Sequence, residues 1–193
     1  MPAPLDNFYT RSPGWPSRLI AWATRGRAES PTLATHTGKF VTDVEIVHAF
    51  WHALRRSRGV YRDHWPLRGC EWCITHYNGP LRTVPNMEKG QATLAEMIGW
   101  KYSLLELPLQ LMDGILHKLW RRPRTGWDAY VFRKLSGIWK RGVICSQTTC
   151  RVDIAVGWKP GHLKYASPDD ALDYELLSPD WDVTDHSDGF FDV

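Results

Sequence analysis

No lysine or arginine follows Lys164, no apolar run is long enough to cross a bilayer, and cysteine is scarce. Each shortage excludes something. Four cysteines in 193 residues, with no apolar leader ahead of them, argue against a disulfide scaffold and for thiols, a metal site or a nucleophile. Asp6, Arg11 and Arg18 interrupt any signal-like segment, and four prolines precede Ser17, so a cytoplasmic or virion-associated protein is expected. The greasiest stretch, residues 103–120, contains Glu106, Pro108, Asp113 and His117, which rules it out as a membrane span. Internal repeats and low-complexity runs are also missing.

What is present suits one folded domain. The chain is 43% apolar and 23% charged, values that exclude wholesale disorder. Eleven tryptophans supply either a thick core or a stacking surface. Charge is segregated: all 24 basic residues lie at or before Lys164, and from Tyr165 onward there are nine acidic residues and no basic ones. A basic body with an acidic tail favours a polyanionic partner or a tail folded back on the body.

The pattern predicts an α+β fold. Residues 34–41 and 43–49 read as two strands rich in Val, Ile, Thr and Phe, with Gly38 and Thr42–Asp43 as turn material. Residues 55–90 read as a basic, turn-rich insert with at most short strands. Helices are expected at 91–98, from Pro108 (with Leu111, Met112, Ile115 and Leu119 as its apolar stripe), at 128–139, and from Cys145. The last 25 residues, with two Ser-Pro-Asp steps, read as turns and a loose tail docked up to Trp181 and mobile from Asp182.

Chemistry is most concentrated in residues 142–150, GVICSQTTC. Two β-branched residues lead into Cys145, and Ser146, Gln147 and two threonines follow, which places Cys145 in the first turn of a helix. There the unpaired N–H groups and the macrodipole are expected to lower a thiol's pKa and to hold an oxyanion. The matching base is His36, on a small-residue strand. His48, twelve residues later, can orient it if the two strands pair. Strand alternation puts His48 and Glu45 on opposite faces, so only one of them can serve, and the sequence leaves that choice open.

These residues, in this order, resemble a known family. LDNFYTRSPGWPSRLIAWATRG, THTGKFV, VEIVHA and RGVY, then Gly99 to Tyr102 and Cys145-Ser146, resemble the circularly permuted papain-like hydrolases, the YiiX-like relatives of NlpC-type cell-wall peptidases and amidases. The resemblance implies a small antiparallel sheet packed on helices, with a hydrolase domain over residues 1–175 and an acidic tail over 176–193. It implies Cys145 as nucleophile, His36 as general base, His48 as orienting residue, and Tyr102 and Ser146 beside the substrate. No cofactor or metal is implied. The substrate would be an amide or ester in cell-wall peptide or a lipid-linked acyl chain. Two departures are plain: many relatives carry Glu where His48 stands, and the insert with Cys70 and Cys73 has no counterpart.

The competing readings are a catalytically silent structural or virion component and a basic nucleic-acid-binding module. Cys70-x-x-Cys73, completed by Cys145 and Cys150, would be a zinc site, although the 71 residues between the halves are too many for a compact finger. Trp51, Trp65 and Trp72 among Arg55, Arg56 and Arg68 would stack and neutralise single-stranded nucleic acid, against the alternative that these tryptophans are core.

Overall fold

The structure, a computed structural model, describes residues 1–15, 17, 18, 21, 34–51, 58–103, 108, 109, 112, 113, 115 and 143–192. Its elements are β1 (Asn7–Arg11), β2 (His36–Phe40), β3 (Glu45–Trp51), β4 (Arg58–His64), β5 (Glu71–Tyr77), α1 (Val84–Met97), α2 (Cys145–Ala155), a 3-10 turn (Gly161–Tyr165), α3 (Pro168–Leu177) and β6 (Trp181–His186). The six strands form one antiparallel sheet in the order β4-β3-β2-β1-β5-β6. The α+β class read from the sequence is what the chain adopts. The helices expected at 128–139 and most of the one from Pro108 lie outside the described residues. Among the described residues no helix is long and apolar enough to cross a membrane.

Alternation along the strands sorts the side chains into two layers. On one face Phe8, Phe40, Ile46 and Ile74 pack under Trp65, Leu67 and Trp72. On the other, Tyr9 and Cys73 join Cys150, Leu163 and Leu172, while Val47 and Ala49 meet Leu94, Val152 and Val156 of the helices. Trp65 and Trp72 are half-buried, with ring centroids 5.4 Å apart, and pack against this cluster as its outer cover.

Three expectations are corrected. Residues 55–90 are not a loop-rich insert. They hold two seven-residue strands and the first turns of α1, which begins at Val84 instead of residue 91. Pairing decides this: β5 is hydrogen-bonded on both edges, and a neighbouring strand supplies what its Glu, Cys and His lack in intrinsic preference. The first Ser-Pro-Asp step is a helix start, since Ser167 Oγ accepts the Asp170 N–H (3.1 Å) and Asp170 Oδ2 accepts the Ser167 N–H (2.8 Å), with Pro168 in the first turn. The third correction is the tail. From Asp182 to His186 it is the edge strand β6, paired with β5, and Phe190 beyond it is fully buried.

Between the sheet and α2 and α3 lies a fully buried polar cluster with no sequence forewarning. Lys39 Nζ pairs with Asp153 (2.6 Å) and donates to Asn7 Oδ1 (2.6 Å). Lys159 pairs with Asp153 (3.1 Å) and with Glu175. Glu175 also accepts from Asn7 Nδ2 (2.7 Å), Tyr9 OH (2.6 Å) and Thr75 Oγ1. Two ammonium and two carboxylate groups balance formally. Burial disfavours the Lys159 cation, yet Glu175 and Asp153 outweigh it and hold its pKa above the usual range. Asp153 follows the same logic with the sign reversed. Burial pushes its pKa up, and Lys39 and Lys159 together bring it below the ordinary value.

Candidate functional site

The site begins with the β2–β3 hairpin. Its register sets Gly38 opposite His48 and places His36 diagonally from His48 on the same face. A Cβ at Gly38 would lie 2.5 Å from the Phe8 ring and 2.7 Å from His48 Cβ, so glycine is what lets both rings lie across the strand. The result is direct contact: His36 Nε2 and His48 Nδ1 are 2.7 Å apart, with ring centroids at 5.0 Å. Phe50 stacks on His48 at 5.8 Å and meets the His36 ring edge-on at 5.3 Å. Glu45 points to the other face and pairs with Arg62 at 3.0 Å. Between the two candidates the sequence left open, it is His48 that stands beside His36.

Cys145 is the first residue of α2, as expected, preceded by Ile144 as N-cap, whose N–H donates to Gln147 Oε1 (3.3 Å). The segment before it is held by residues 101–103: Tyr102 bridges Val143, the Val143 N–H donates to Lys101 O (3.0 Å), and the Ser103 N–H donates to Val143 O (3.0 Å). That segment is itself anchored to β4, where Gly59, with φ of +155°, brings its Cα against the carbonyl of Trp100. Helix α2 lies on the Thr37 and Lys39 side of β2, with Thr149 Oγ1 3.4 Å from Thr37 Oγ1. The backbone N–H groups of Thr37, Ser146 and Cys145 itself adjoin the Cys145 thiol and favour its ionised form. Cys145 and His36 thus reach one stretch of β2 from opposite faces, at the end where the ladder to β3 has stopped. Ser146 is fully buried, and its hydroxyl has no hydrogen-bond partner among the described residues.

The electrostatics overturn one expectation. Cys145 is only 6% exposed, and burial pushes its thiol up to about 11 in spite of the three N–H groups that pull it down. The helix start supplies the N–H groups, but the resting group is a thiol and not the thiolate its position suggested. Burial, and then the neighbouring His48, hold His36 well below the usual imidazole value. His48 is pushed down to about 4, chiefly by burial, against the pull of Asp63. Both rings are neutral near pH 7.

The remaining cysteines are dispersed. Cys73 and Cys150 are buried in the layer under the helices, and Cys70 lies 3.1 Å from Ser12 Oγ at a cleft of about 500 Å³ that Thr35, the neighbour of His36, also lines. Among the described residues no group of three or more His, Cys, Asp or Glu side chains is arranged to hold a metal ion. The histidine pair is too close for one: two nitrogens on a tetrahedral zinc ion sit roughly 3.3 Å apart, given Zn–N bonds of about 2.0–2.1 Å.

Comparison with known proteins is consistent with the architecture. No family model and no curated protein matches the sequence. Among solved structures, the chain is similar to the metalloprotein YiiX from Escherichia coli, with a TM-score of 0.53 and 14% identity over 96% of this chain and 98% of that one. At that identity the likeness concerns the fold alone.

Proposed function

We propose that the chain is a cysteine hydrolase of permuted papain-like architecture, cleaving an amide or ester through an acyl-enzyme on Cys145. One observation carries the reading. A histidine pair in direct contact joins β2 to β3, and its β2 member, His36, adjoins Thr37, whose backbone favours the ionised form of a cysteine at a helix start. In this reading His36 Nε2 is committed to His48, and Nδ1, reaching past the strand edge where the β2–β3 ladder has stopped, is the nitrogen that takes the thiol proton as sulfur attacks the carbonyl carbon. The first-turn N–H groups of α2 then hold the oxyanion. His36 gives its proton to the leaving group, and water, activated by the same nitrogen, releases the acyl group. The cleft lined by Arg11, Arg18 and Thr35 is the approach to this segment. Cell-wall peptide or a lipid-linked acyl chain is the substrate class proposed, on the resemblance alone.

The starting pair is neutral, so the proton moves during attack rather than before it. A panel of activated esters and short peptide amides tests this, with wild-type protein beside Cys145→Ala. Wild type is expected to turn over at least one of them and Cys145→Ala none; equal rates in the two proteins contradict the reading. The pH profile has a determined sign. A lowered imidazole pKa keeps His36 free of its proton down to well below pH 6.5, and the thiol persists up to about 11. The expected kcat/KM is level across neutral pH with its acid limb well below 6.5. An acid limb at or above pH 7 would mean that a different group limits the reaction.

A further inference from the structure

We propose that Asp63 is a positioning residue that sets the tautomer of His48 and, through it, makes His36 a base at the nitrogen facing the substrate. The proposal rests on the hydrolase reading for its purpose, but not for its geometry. A contact of 2.7 Å between His36 Nε2 and His48 Nδ1 holds one proton, which can belong to either ring. If it sits on His48 Nδ1, then neutral His36 carries its own proton on Nδ1 and cannot accept another there. If it sits on His36 Nε2, then His36 Nδ1 is a free lone pair and neutral His48 carries its proton on Nε2. Only the second arrangement lets His36 take a proton from a thiol.

The surroundings of His48 Nε2 decide between them. That atom is buried and has no hydrogen-bond partner among the described residues, so whatever lies nearest to it matters. Among the described residues the charged group set beside it is Asp63, whose Oδ2 stands 3.6 Å away. Asp63 reaches it because β4 pairs Tyr61 with His48 and Ile46 with Asp63, which places the carboxylate diagonally on the same face. Its other oxygen is fixed by the backbone N–H of His64 (2.8 Å), leaving Oδ2 turned toward the ring. A lone pair on Nε2 would face a carboxylate and be repelled, whereas an N–H there is attracted. At 3.6 Å the contact is longer than a hydrogen bond, and it closes as positive charge develops on the two rings during proton transfer. The role resembles that of a carboxylate behind a ligating histidine, which fixes which ring nitrogen is free.

Ring-nitrogen NMR on uniformly ¹⁵N-labelled protein at pH 7 reads the tautomers directly, with no substrate. In wild type both His36 and His48 are expected as the Nε2–H form. In Asp63→Ala the His48 signal should move toward Nδ1–H, with His36 following, and in Asp63→Asn, whose amide oxygen can still accept from Nε2–H, the wild-type pattern should return. Ester hydrolysis should fall roughly 10- to 100-fold in Asp63→Ala and recover in large part in Asp63→Asn, by analogy with carboxylates that orient ligating histidines. Wild-type His48 in the Nδ1–H form overturns the proposal without any variant, and so does an unchanged pattern in Asp63→Ala. A shifted pattern in a protein that hydrolyses nothing would retain the proposal and remove the hydrolase reading instead.

Discussion

Replacing His36 with Ala is expected to reduce ester hydrolysis by about 10²- to 10⁴-fold, the contribution of a positioned general base. The loss should appear in kcat and in kcat/KM alike, because the base acts in the transition state. His48→Ala is expected to cost less, about 10- to 1000-fold, and to leave Cys145 open to alkylation, since an orienting residue contributes less than the base it orients. Glu45→Ala should have little effect, its carboxylate being paired with Arg62 on the opposite face. Steady-state kinetics on the three variants decides the matter. A Glu45→Ala loss that exceeds the His48→Ala loss would show that the hairpin's faces have been assigned the wrong roles. Alkylation by iodoacetamide should be slow at pH 6 and accelerate as pH rises, because the buried thiol titrates near 11.

The second large effect is on stability. Glu175→Gln removes one of the two carboxylates in the buried cluster, leaving the Lys39 and Lys159 ammonium groups with Asp153 as their carboxylate partner. Leaving a buried charge uncompensated typically costs about 3–5 kcal/mol, so a loss of that size in unfolding free energy is expected, read as a lower denaturant midpoint with little change in slope. The double replacement Lys159→Met with Glu175→Met should be milder than the single one, since buried ion pairs exchanged for apolar groups of similar volume are often neutral in effect. A Glu175→Gln protein within about 1 kcal/mol of wild type would mean that the cluster is wetter or less charged than its geometry implies.

The parts of this site visible in the sequence are those determined over short distances. The β2–β3 hairpin reads from its β-branched runs and its turn residues, and its length puts His36 and His48 on one face. Cys145 at a helix start reads from the change in residue type around it. Strands β4 and β5 do not read, because Arg62, Asp63, Glu71 and Cys73 are ordinary loop residues until a neighbouring strand pairs with them. Asp63 was hidden for the same reason. Once residues 58–64 are taken as a strand beside β3, alternation alone sets Tyr61 and Asp63 on the His48 face. The buried cluster links Asn7, Lys39, Asp153, Lys159 and Glu175 across most of the chain, and no local pattern marks any of them. The thiol's raised pKa was missed because helix position is a local property and burial is not. The acidic tail, expected to dock up to Trp181 and to be mobile beyond it, carries an edge strand of the same sheet from Trp181 to His186.

The most direct test of the acyl-enzyme is to mix the protein with one equivalent of p-nitrophenyl acetate, quench within the first turnover, and locate the acetyl group by peptide mass mapping. The account expects a burst of nitrophenolate no larger than the protein concentration and an acetyl group on Cys145, absent from Cys145→Ala and much slower to form in His36→Ala. Acetylation spread over Cys70 and surface lysines, with Cys145 unmodified, would contradict it.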